Sequence, residues 1–122
     1  MTEKKVVKAE GKCLPCDNIQ SRDWYSWLNL MPPPPDEFHV VGEIYVPNPG
    51  VDPLLAPRHP QGINPEILLL DLHLRQQPGN WPQTLVWRSA RYDKVGPRTK
   101  YARVQVFCDE KVVADMKVEE VH

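Results

Sequence analysis

Four leucines spaced two apart, Leu68, Leu70, Leu72 and Leu74, constrain this chain more than any other feature. They lie in the run Ile67-Leu68-Leu69-Leu70-Asp71-Leu72-His73-Leu74-Arg75, whose alternate positions turn polar after Leu69. A period of two is what a strand with one buried face requires, because successive side chains point to opposite faces of a sheet. A helix would spread the same leucines around its circumference. The stretch therefore reads as the central strand of an antiparallel sheet.

Other segments repeat the signal. Phe38, Val40, Ile44 and Val46 share one face of a strand over 38–46, in which Gly42 marks a bulge or a close backbone approach. A strand over 101–108 points Ala102, Val104, Val106 and Cys108 inward. A tight turn at 109–111 joins it to a strand over 112–119 with Val112, Ala114, Met116 and Val118 inward. The strand over 84–92 has two nearly equal apolar faces, Leu85/Trp87 and Val86/Ala90, so the pattern leaves its phase open.

Proline sets the connections. The 14 prolines are too many for a helical protein and argue for short elements joined by stiff loops. Pro32–Pro35 reads as a rigid spacer, and residues 47–65 as a long loop without an element of its own. One short helix is expected over Ser21–Met31, where Trp24, Trp27, Leu28 and Met31 fall at i, i+3, i+4 and i+7 behind Ser21 as N-cap. With no long helix between strands, parallel crossovers are not expected. The fold class is all-β and mainly antiparallel: a small β-sandwich or partly open barrel with one short N-terminal helix and long Pro-rich loops. A single sheet covered by the tryptophan helix is second choice. Residues 1–18 form a polar N-terminal segment in which Val6-Val7 suggests a short edge strand, and 19–122 a single β domain.

A net charge of −1 provides no global field toward nucleic acid or an anionic membrane. Residues 66–103 hold seven Lys/Arg against three Asp/Glu, and 104–122 hold two against five. The preferred reading is two wet surfaces that complement each other. Nothing approaches a membrane-spanning length, and the charged opening Met1-Thr2-Glu3-Lys4-Lys5 is unlike a targeting segment. Three cysteines, an odd count, argue against a disulfide framework and for a reducing, cytoplasmic setting.

Three constellations have the chemistry for a site. Cys13 and Cys16 form a CxxC that, as half a zinc site, needs two further ligands; Cys108, His39, His59 and His73 are the candidates. A redox pair would want a strand-to-helix context that this segment lacks. Asp71, His73 and Arg75 share the wet side of the leucine strand, where a His beside a carboxylate suits a general base, although an ordinary solvated face is favoured. Arg58 and His59 in the long loop, with Trp81 in the turn Pro78-Gly79-Asn80-Trp81-Pro82, are residue types that anchor interfaces on stiff loops.

The functional expectation is a non-catalytic protein-interaction or self-association module, without a cofactor and without a membrane partner. A metal-binding or hydrolytic protein using Asp71/His73 or Cys13/Cys16, with zinc, is the alternative. A single-strand nucleic-acid binder comes third, through the basic middle with Trp87, Tyr92 and Tyr101 interleaved.

Overall fold

The computed structural model describes residues 12–96 and 101–122. Eight strands make it up: β1 (Lys12–Leu14), β2 (Gln20–Asn29), β3 (Glu37–Val46), β4 (Val51–Pro57), β5 (Ile67–Gln76), β6 (Val86–Val95), β7 (Arg103–Cys108) and β8 (Lys111–Val121). They form one path of hydrogen-bonded neighbours, β1-β5-β7-β8-β2-β3-β6, with β4 on β5 as well. The protein is all-β, an open sheet curled into a half-barrel. The Val6-Val7 strand lies outside the described residues.

The leucine strand is as expected. Leu68, Leu70, Leu72 and Leu74 are all buried, and Leu70 is fully so. β5 pairs antiparallel with β4 through 70–76 and with β1 through 74–76, and parallel with β7 through 67–71. Since β4 meets the same β5 residues as each of the other two, β1 and β7 must lie end to end along β5's opposite side. Phe38, Val40, Ile44 and Val46 of β3, and Val104, Val106 and Cys108 of β7, join the leucines in the core with no exposure.

Five expectations need correction. No helix occurs among the described residues; Ser21–Met31 runs mostly as β2. The helical spacing of Trp24, Trp27 and Leu28 is accidental. A bulge between Arg22 and Tyr25, with Asp23 at φ 57°, resets the alternation so that Ser26 and Leu28 are buried while Tyr25 and Trp27 take the other side. Residues 47–65 are not one loop, because β4 tolerates Pro53 and Pro57 on its unpaired edge. Parallel pairs do occur, β5 with β7 and β2 with β8, because their connections pass through other strands rather than helices. Near the last turn, Val106 pairs Ala114 but Phe107 pairs Val112, so Val113 packs on the core and Val112 is exposed. Ala102 is likewise exposed.

The odd cysteine count misled as well. Cys16 and Cys108 are joined in a disulfide across 92 residues of sequence, with Cα atoms 5.7 Å apart, and Cys13 is the free thiol. The bridge ties the β1–β2 link to the end of β7.

Gly42 serves a close approach. It faces inward opposite Ala90, and a Cβ there would overlap the six-membered ring of Trp24, which the β2 bulge turns under the sheet. Gly42→Ala should cost about 1–3 kcal/mol, the range for overpacking a filled core. Adding Trp24→Leu should return part of that loss in a denaturant titration, since it removes the ring that the methyl meets.

Candidate functional site

The sequence-nominated residues do not converge. Arg58 is a clamp: its Nη1 donates to Asp71 Oδ1 (2.9 Å) and to the Asp109 carbonyl oxygen (3.2 Å), and its Nη2 to Glu110 Oε1 (2.6 Å). Its guanidinium also lies 4.3 Å from the Phe107 ring centroid. The β4–β5 corner is thereby fastened to the β7–β8 turn, with Arg58 fully committed. His59 stands exposed beside it. Trp81 covers Gly50, and its Nε1 donates to the Gln77 carbonyl oxygen (3.0 Å). It closes one end of the sheet, away from the Arg58 clamp.

Asp71, His73 and Arg75 do share the outer side of β5, yet no hydrogen bond joins Asp71 to His73 among the described residues. The Asp71 carboxylate belongs to Arg58, while His73 is exposed opposite Leu54. Arg75 lies opposite Cys13 on one side and Asp52 on the other. Cys13 is exposed, whereas Cys16 is buried and bonded to Cys108. Among the described residues, no group of three or more His, Cys, Asp or Glu could hold a metal ion.

A different surface concentrates aromatic and charged groups: the outer face of β2, β3 and β6. The inner side of β3 is fully committed to the core, so Glu37, His39, Val41, Glu43 and Tyr45 are left on its outer side. Register places Trp27, His39 and Asp93 in one row across the three strands, and Tyr45 beside Trp87 at the far end. Two aromatic stacks result. Tyr25 lies on Trp27 (centroids 5.3 Å, 23° between planes), and Trp27 lies on His39 (4.8 Å). Tyr45 lies on Trp87 (4.7 Å), whose ring also carries Arg22 at 3.8 Å. Such contacts contribute about 0.5–1.5 kcal/mol each beyond area burial.

Between the stacks is a depression of about 260 Å³ lined by Asp23, Val41, Glu43, Ser89 and Arg91. Arg22 Nε donates to Glu43 Oε1 (2.7 Å) at its edge. His39 is held at both ring nitrogens: Nδ1 lies 2.5 Å from Asp93 Oδ1, and Nε2 lies 3.3 Å from Glu37 Oε1. Arg91 Nε donates to both Asp93 oxygens (3.1 and 3.0 Å).

Burial alone would raise the Asp93 pKa. The hydrogen bonds and charges of His39 and Arg91 outweigh it and hold the carboxyl below its ordinary value. A carboxyl lowered in the folded state stabilises above its unfolded pKa and loses that contribution as pH falls through the folded one. Wild-type stability should therefore decline on the acid side of the usual carboxylate range, and Asp93→Asn should flatten that decline. Urea midpoints at pH 6 and pH 3 for both proteins check it.

A second concavity, of about 490 Å³, opens between β1, the start of β2 and the end of β3, lined largely by Leu14, Pro15, Ile19, Leu74 and Leu85. Its lining has one charged residue, Asp17, and no histidine or cysteine.

Sequence reasoning missed the outer face for two reasons. Assigning Trp24 and Trp27 to one helical stripe hid that a bulge sends them to opposite sides. The open phase of 84–92 left Trp87 unplaced; register now puts Val86, Ala90 and Tyr92 inward and Trp87 outward. In sequence, His39 stands out only as a candidate metal ligand. Comparison with family models, curated proteins and solved structures finds no match.

Proposed function

We propose that this chain is a non-catalytic interaction module that meets a protein partner through the outer face of β2, β3 and β6, rather than through its proline-stiffened loops. One observation carries the reading: two tryptophans and two tyrosines stand on the side of the sheet that the core does not use. Tyr, Trp and Arg are the types that dominate binding energy at protein interfaces, and Arg22 lies on the Trp87 ring. The loop residues Arg58 and Trp81, by contrast, are occupied by contacts within the chain.

The rival readings are supported less. The hydrolytic reading rested on Asp71 beside His73, and the Asp71 carboxylate is engaged by Arg58 while His73 stands opposite Leu54. A zinc reading would need Cys16 as a thiolate, and that sulfur is shared with Cys108. Glu37, Glu43 and Asp93 on the aromatic face would repel phosphates, which weighs against single-stranded nucleic acid. No helix of the described residues is long and apolar enough to cross a membrane. The buried disulfide favours an oxidising compartment over the cytoplasm that the cysteine count suggested.

Affinity capture from the source cells, with immobilised protein, tests the docking surface. Trp27→Ser should abolish capture of whichever protein the wild type retains, whereas Trp81→Ala should not. Loss with Trp81→Ala or Arg58→Ala, and retention with Trp27→Ser, would return the surface to the loops and overturn the proposal. Matched thermal midpoints establish that the variants are folded.

A further inference from the structure

The two ends of the sheet are protected unequally. β4, at one end, carries Pro53 and Pro57, which cannot donate to a further strand. β6, at the other end, has no proline and keeps one unbroken register with β3 over ten residues. Its start is shielded at Arg88, which donates to the Pro49 carbonyl oxygen and to Asp52 Oδ1 (2.8 Å), drawing β6 toward β4. Beyond that seam, positions 89–95 present a second edge that pairs with no strand among the described residues, and Val95 there is 60% exposed. Such an edge is a template for strand addition.

We infer that this edge takes a second copy of the same chain, antiparallel about a two-fold axis through Tyr92. Charge selects both occupant and register. Arg91 and Asp93 point to the outer face on either side of Tyr92, and both are accessible, at 54% and 44% side-chain exposure. With the axis at Tyr92, Arg91 stands opposite the partner subunit's Asp93, and Asp93 opposite the partner subunit's Arg91. An axis at Asp93 would set two carboxylates face to face, and one at Arg91 two guanidiniums. A shift by one residue between the strands would turn inner side chains outward. Only the Tyr92 register gives two opposite-charge cross-strand pairs. The resulting six-stranded face would join the two Trp27–His39–Asp93 rows edge to edge.

Arg91 and Asp93 also border the ring face, but self-association and capture of a second protein are read by different measurements, so this inference and the proposed docking face can fail independently. Light scattering on the full chain over a rising concentration series tests it. Wild type should approach twice its monomer mass. Arg91→Asp and Asp93→Arg, each setting like charges opposite one another, should weaken the dimer about tenfold, and the double variant should restore it. An equimolar mixture of the two single variants should also form a dimer, because each chain then faces the opposite charge. Charge pairing within one chain cannot produce that result. A wild type that stays monomeric, single variants that dimerise as it does, or a mixture that stays monomeric overturns the inference. A monomer whose β6 edge accepts a peptide of another protein overturns the choice of occupant.

Discussion

Cys108→Ser should lower the unfolding free energy by about 2–5 kcal/mol in protein kept oxidised. A crosslink closing 92 residues removes loop-closure entropy from the unfolded chain, and the chain-entropy relation gives about 4.5 kcal/mol for a loop of that size. The substitution is a fair probe because the Cys108 Sγ lies 3.6 Å from the Leu72 carbonyl oxygen, so a buried serine hydroxyl has an acceptor at hand. Cys13→Ser, at an exposed position, should change stability by less than about 0.5 kcal/mol. Denaturant titration of both variants, with and without reductant, checks the assignment: reductant should destabilise wild type and leave Cys108→Ser unmoved. Equal losses from the two serines would mean that the bridge joins other partners.

Phe38→Ala is the other large effect, expected at about 3–5 kcal/mol. The Phe38 ring is fully buried, with its centroid 5.3 Å from that of Tyr101 and 6.5 Å from that of Tyr92, both edge-on. Removing it leaves a cavity walled by two rings whose own placement depends on it, and collapse can fill only part of that space. Phe38→Leu keeps most of the volume and should cost less than about 1.5 kcal/mol. The ratio of the two losses is the informative quantity. A similar loss from both would mean that aromatic geometry, not volume, holds this end of the sheet. Because Phe38 precedes His39 on β3, the alanine variant should also loosen the His39–Asp93 contact on the opposite face, visible as a smaller acid-side decline in stability.

Where one face of a strand is uniformly apolar, its role was legible from residues alone. The β5 leucines, the inner side of β3 and the valines of β7 all point as their alternation predicts. Legibility failed where a backbone irregularity resets the alternation. The bulge at Asp23 made a strand look like a helix, and the slip at Phe107 exchanged Val112 for Val113. β4 went unseen because two prolines on an unpaired edge cost a strand nothing there, while composition counts them as breakers. The disulfide was hidden by an odd count, which says nothing about which pair of sulfurs is brought together. The candidate surface was the least visible of all: Trp27, His39 and Trp87 lie far apart in sequence, and only cross-strand register makes them neighbours.

β8 stands between β7 and β2 in the strand order, so it is the strand whose backbone pairing joins the two halves. The β1, β4, β5 and β7 group on one flank and the β2, β3 and β6 group on the other share no strand pairing without it. A chain without residues 111–121 therefore holds a four-stranded and a three-stranded group, tied by the Cys16–Cys108 bridge and the Arg88–Asp52 contact but not by backbone pairing, each displaying a raw hydrogen-bonding margin. Early termination in this protein should yield insoluble, protease-sensitive product instead of a slightly shortened fold.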